Sequence, residues 1–252
     1  MADIMAPVTL SSMTPTQEEG WRTLLNLYQN FLSGWCLIGG QMVWLLAIEQ
    51  GIEPIWLTDD VDVAVDIRAD QEAIRRLCAW LESRHFRLEG IDTDGIGHCY
   101  LSTTYPGPGQ VKFDVLAPDN VGQRADLTTS PPARTVSAPG TRYALDSAEA
   151  IEIVLRERSG HVLRPSLIAA LLAKAAATTI AVRDNPDRDW RDAAFLLTLV
   201  ADPIGTAAEL TRGQKRRLRI IRPLLSEDHP AWRQLGERGR LGRIALEFLL
   251  EG

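Results

Sequence analysis

The sequence predicts an α/β (α+β) fold, a mixed sheet with flanking helices, followed by an all-helical C-terminal part. Three observations predict it. Short apolar, β-branched runs at 35–38, 60–67 and 111–116 alternate with helix-period segments, whereas only helical periodicity remains after about residue 165. The runs at 60–67 and 111–116 also alternate strictly, with carboxylates facing away from the valines. Glycine and proline clusters punctuate these segments where chain reversals are needed. The expected division is a flexible tail over 1–14, a sheet domain over 15–160 and a C-terminal helical domain over 161–252.

From Pro15 to Ser33, Trp21, Leu24, Leu25, Tyr28, Phe31 and Leu32 follow the spacing of an amphipathic helix that Gly34 ends. Residues 35–38 form a short buried strand, and Gly39-Gly40 leads into an apolar helix from Gln41 to Gln50, closed by Gly51 and Pro54. The chain returns through 55–57 to a strand at 60–67, where Asp60 and Asp62 share one face and Val61, Val63, Val65 and Ile67 the other. Asp70 to His85 reads as a helix, and 86–105 as strand broken by a turn at 92–97. Pro106 to Gly109 makes a second turn before the strand at 111–116, which presents Asp114 opposite Val111, Phe113 and Val115. The Asp-, Gly-, Pro- and Ser-rich stretch 118–139 reads as a long surface connection. Residues 142–157 fit one or two strands or a helix equally well. Ser166 opens a helix through Ala181, Asp184 to Asp187 turn, a helix follows from Arg188 to about Val200, and two or three more helices finish the chain.

Composition excludes several classes. Residues 1–19 lack a basic region followed by an apolar run, and the apolar segment 166–182 carries Lys174 at its middle, so neither a signal peptide nor a membrane span is expected and the cytoplasm is the expected compartment. Cys36, Cys78 and Cys99 match neither a disulfide framework nor a zinc pattern and read as free thiols. The four histidines have no ligand spacing, and no P-loop or complete dinucleotide loop occurs. The net charge of −6 is unevenly spread: Thr211 to Arg243 holds ten Lys or Arg against three Asp or Glu, about +7 against about −13 for the remainder.

Asp60 and Asp62 crowd like charges on a rigid strand, an arrangement relieved by a hard cation such as Mg²⁺. Gly39-Gly40 before a helix offers backbone N–H groups to phosphate, because glycine permits close approach and the helix N-terminus favours anions. Asp114 adds a third carboxylate, as ligand or as proton acceptor. Together these parts point to metal-dependent phosphoryl or nucleotidyl transfer, with two Mg²⁺ ions held by Asp60, Asp62 and Asp114 and a nucleoside triphosphate (NTP) bound near Gly39, Gly40 and Gln41.

The elements Leu37-Ile38-Gly39-Gly40, Thr58-Asp59-Asp60-Val61-Asp62 and Val111-Lys112-Phe113-Asp114 resemble the nucleotidyltransferase superfamily with the polymerase-β-like fold. Lys174 on a helix after the sheet, followed by Arg188-Asp189-Trp190-Arg191-Asp192, resembles the AbiEii/MenT-type nucleotidyltransferase toxins of toxin–antitoxin systems. That resemblance implies that Lys174 contacts the nucleotide phosphates, that Asp189 completes the catalytic set, and that the acceptor is RNA such as the tRNA 3′ end, with a separate antitoxin protein as partner. Gln41, where the family has a small residue, and the long 118–139 segment depart from the pattern. Simpler readings compete: Lys174 as a snorkelling side chain, Asp187, Asp189 and Asp192 as helix-start charges, and the cluster at 212–222 as a solvated helix face instead of an RNA-binding patch. The competing functions are an antibiotic-modifying nucleotidyltransferase and a catalytically silent protein that keeps the fold.

Overall fold

The computed structural model describes residues 6–10, 13–53, 56, 58–104, 110–180, 185 and 187–251. Val8–Leu10, inside the stretch read as a flexible tail, form strand β1, with Val8 and Leu10 buried and Thr9 exposed. Three residues are too few for alternation to stand out in a sequence; partnership with a distant strand decides the matter. Helix α1 (Pro15–Asn30) opens on a capping box between Thr14 and Gln17. Strand β2 (Trp35–Ile38) runs into α2 (Gly39–Glu49), which begins at the glycines themselves, ahead of the expected Gln41. Every residue from Met42 to Ala47 is buried, so α2 is a central helix with no solvent face.

Strand β3 (Val61–Val65) follows, then α3 (Ala73–Ser83), β4 (Phe86–Leu88), β5 (Cys99–Ser102) and β6 (Lys112–Pro118). The turn expected at 106–109 lies outside the described residues. The segment 118–139 is less exposed than its composition suggests. It carries the short strand β7 (Ser137–Ala138) beside β6, and Thr129, Ala133 and Thr135 are buried, the Thr129 hydroxyl donating to the Gly97 carbonyl at 2.7 Å and that of Thr135 to the Val115 carbonyl on β6 at 2.6 Å. The stretch that periodicity left undecided holds both a helix and strands, α4 (Thr141–Asp146) followed by the hairpin β8 (Glu149–Leu155) and β9 (Arg158–Arg164). Strand β9 runs across residue 160, where the sheet domain was expected to end. Helices α5 (Leu167–Ala177), α6 (Asp187–Leu197), α7 (Pro203–Glu209) and α8 (Arg212–Leu218), 3-10 turns at Arg219–Leu225 and Pro230–Trp232, and α9 (Gly236–Glu251) complete the chain. Ser166 caps α5 as its sequence position predicts.

The larger sheet has the order β2-β3-β6-β5-β4, with β3 and β6 parallel and the other neighbours in that order antiparallel. The smaller is β1-β8-β9. Buried apolar side chains of the sheets and of the C-terminal helices belong to one contiguous cluster. Buried Arg164 on β9 bonds Glu49 at the end of α2 at 2.8 Å and Glu149 on β8 at 2.9 Å, which ties the central helix to the smaller sheet. Among the described residues no helix is long and apolar enough to cross a membrane.

Candidate active site

The site is built on one row across the larger sheet. Ile38 on β2 pairs with Asp62 on β3, Asp62 with Asp114 on β6, and Asp114 with Cys99 on β5. Side chains at paired positions share a face, and neighbouring strands lie about 4.8 Å apart, so the register alone sets two carboxylates side by side. Asp114 shows the consequence. Burial, then the neighbouring Asp62 charge, push its carboxyl up to about 7, with a smaller contribution from Asp60, while the Cys99 thiol and Lys112 work the other way. Its buried Oδ1 has no hydrogen-bond partner in the structure.

Asp60 lies just before β3 and is half-buried. It contributes charge to the site, whereas Asp62 and Asp114 form the paired core. Among the described residues no three His, Cys, Asp or Glu side chains are grouped as a full set of metal ligands. Hard carboxylate oxygens beside an unpartnered buried oxygen fit Mg²⁺, which takes one or two carboxylates and completes its shell with water and substrate phosphates.

The Gly39-Gly40 turn closes over Asp62, the member of this pair that lines the adjoining cavity; Asp114 does not line it. Gly39 has φ +71°, and a Cβ there would overlap the Asp62 carboxylate; at Gly40 a Cβ would overlap the Arg188 guanidinium and Thr58. No side chain caps α2 at Ile38. Its first amides therefore lie where an anion can approach, in a cavity of about 120 Å³ lined by Gly39, Gly40, Asp62, Lys174, Arg188 and Asp189 together with apolar groups such as Met42, Leu116 and Pro139.

Gln41 does not line that cavity. It is buried, accepts from Trp21 Nε1 at 3.1 Å and donates to the Thr58 carbonyl at 2.5 Å, which Gln17 Nε2 also reaches at 3.0 Å. Arg188 Nη2 donates to Thr58 Oγ1 at 2.9 Å, and Thr14 Oγ1 to Asp59 at 2.9 Å. Three helices thus pin the segment that leads into the carboxylate strand.

Lys174 and the α6 acids are brought together, but into each other. The ammonium lies 2.6 Å from Asp192 and 3.1 Å from Asp189, and all three side chains are buried. Burial acts to lower the Lys174 pKa, yet Asp192 and then Asp189 outweigh it and hold the ammonium above its ordinary value. Trp56 Nε1 donates to the other Asp192 oxygen at 2.9 Å. These are neither helix-start charges in solvent nor a snorkelling lysine. Removing one partner of such a buried pair costs about 3–5 kcal/mol.

Sequence reasoning gave no role in the site to Arg188, Gln17 or His98. A cation in the first turn of a helix opposes the dipole, and that anomaly marks Arg188. His98 precedes β5; its Nδ1 is buried without a partner, and burial lowers its pKa against the opposing charges of Asp62 and Asp92. Nothing in its spacing announces it. The Cys36 thiol is pushed up by burial and that of Cys78 to about 12 for the same reason, as expected for packing residues.

No protein-family model matches this sequence, and no curated protein does. Among solved structures it matches an antigenic nucleotidyltransferase-like protein from Paracoccidioides brasiliensis, with 15% sequence identity, a TM-score of 0.55, and coverage of 96% of this chain and 97% of that one. The chain therefore has a nucleotidyltransferase-like fold, as its glycine and carboxylate motifs imply. The likeness does not reach the AbiEii/MenT subgroup.

Proposed function

We propose that the protein is a nucleotidyltransferase that moves a nucleoside monophosphate from an NTP to an acceptor hydroxyl. The observation that carries this reading is Asp62, register partner of Asp114, lying against an uncapped Gly-Gly helix start. In the reaction the acceptor oxygen bonds to the α-phosphorus, and the bond from that phosphorus to the bridging oxygen breaks. Pyrophosphate leaves with the electron pair. Asp114, the register partner of Asp62, takes the hydroxyl proton. The amides of Gly39 and Gly40 hold phosphate oxygens, and the apolar wall at Met42, Leu116 and Pro139 excludes water from the reacting centre. Mg²⁺, when held by Asp62 with Asp60 adding charge, would neutralise the phosphates and make the hydroxyl more acidic.

RNA is the acceptor we favour, with a tRNA 3′ end as the form to try first. Arg212, Arg216, Arg219 and Arg222 are exposed on α8 and the 3-10 turn after it, and α8 packs on α5, the helix that carries Lys174. Incubation with each NTP labelled at the α-phosphate, Mg²⁺ and total RNA tests both levels. Label is expected in RNA, and Asp62→Asn should reduce it by about 10³-fold or more. Transfer to an aminoglycoside in place of RNA would move the acceptor to a cationic drug. No transfer and no NTP binding would leave a silent fold.

A further inference from the structure

We infer that Arg188 is the residue that receives the triphosphate and that Lys174 is a positioning residue which fixes the helix carrying it. The inference rests on the nucleotide pocket proposed above and reassigns its positive charge. Arg188 is half-buried, lines the cavity, and lies so close to the Gly-Gly turn that a Cβ at position 40 would displace its guanidinium. Its bond to Thr58 engages one of the five N–H donors of a guanidinium, and the planar fork suits the oxygens of phosphate. Arg188 thus stands beside the α2 amides, where anion-binding groups of separate elements converge.

Lys174 cannot take the same part without cost. Its ammonium donates to Asp189 and ion-pairs with Asp192 at 2.6 Å, and drawing it toward a phosphate would strand the Asp192 carboxylate, whose side chain is 0% exposed. Asp189 follows Arg188 directly on α6. The lysine pair therefore anchors the first turn of α6 onto α5 and sets where the Arg188 side chain starts.

Titration calorimetry with inorganic tripolyphosphate separates the roles. Arg188→Gln is expected to weaken binding about tenfold or more, the effect of deleting a charge-assisted hydrogen bond, with the melting temperature little changed. Arg188→Lys, which keeps the charge but not the fork, is the second variant should the first unfold, and a smaller effect is expected. Lys174→Met should lower the melting temperature. Lys174→Met with Asp192→Asn, which removes both charges of the closer pair, should recover part of that loss and weaken binding less than Arg188→Gln does, since Arg188 and the α2 amides remain. Parent-like binding by both Arg188 variants would overturn the Arg188 assignment. A folded double variant whose binding weakens about tenfold while Arg188→Gln binds like the parent would return the phosphate to Lys174. A parent protein that fails to bind tripolyphosphate would overturn the nucleotide pocket itself.

Discussion

Asp114 is a carboxylate that the fold holds near half-protonation at neutral pH. The folded state binds this proton more tightly than the unfolded chain, with a pKa of about 7 against 3.8. Stability contributed by the neutral carboxyl is therefore lost as pH rises through that interval. Asp114→Asn keeps the shape and removes the charge. It should stabilise the protein by on the order of 2–4 kcal/mol at about pH 8 and change little at about pH 4. Urea unfolding at the two pH values checks this, and equal effects at both would assign the gain to packing. The same variant should lose transfer activity, because the group that costs stability is the one proposed to take the proton. Asp62 and Asp114 were legible at this scale as a matter of pattern. Gln41 was legible only as an oddity: its polarity beside the glycines fits a phosphate ligand, whereas the structure spends both ends of its amide on Trp21 and Thr58.

At the scale of elements, the junction between β2 and α2 decides whether the site exists. Gly39 sits at φ +71°, where side chains are disfavoured, and against a carboxylate that a Cβ would overlap. Gly39→Ala should cost about 1–3 kcal/mol from backbone strain alone and displace Asp62. Thermal unfolding together with NTP affinity measures both effects; full stability with full affinity would show that the turn can relax. Boundaries of this kind were partly legible. The expected helix began at Gln41, since propensity discounts glycine, yet the hydrogen-bonded turn includes both glycines because the sheet delivers the chain in that direction. The strands β8 and β9 stayed undecided in the sequence, as their pairing partners are each other and β1, far along the chain.

Across the whole molecule, positive charge is concentrated in the stretch from Thr211 to Arg243. The exposed arginines of α8 and the following turn lie on an otherwise acidic protein, and Arg217 among them is not available, since it pairs with Asp119 at 3.3 Å and stacks on Tyr143. If the patch receives RNA, log affinity should fall linearly with log salt, and replacing Arg212, Arg216 and Arg219 by Gln should lower that slope by about 0.7–0.9 for each phosphate no longer neutralised. Filter binding at graded salt reads this directly; an unchanged slope would place the acceptor elsewhere.

Short stretches of sequence settle the mixed α/β class, the Gly-Gly turn and the carboxylates at 60, 62 and 114, because these are local properties: period-two alternation, glycine's conformational freedom and the spacing of one helix between strands. Only the folded chain reveals that Asp62 and Asp114 are register partners, that Lys174 is consumed by Asp189 and Asp192, and that Arg188 reaches the glycine turn. Those facts depend on strand order and on how α5 and α6 pack. A linear pattern can mark which side chains carry charge, but which charges neutralise one another is set by distances between residues far apart in the chain.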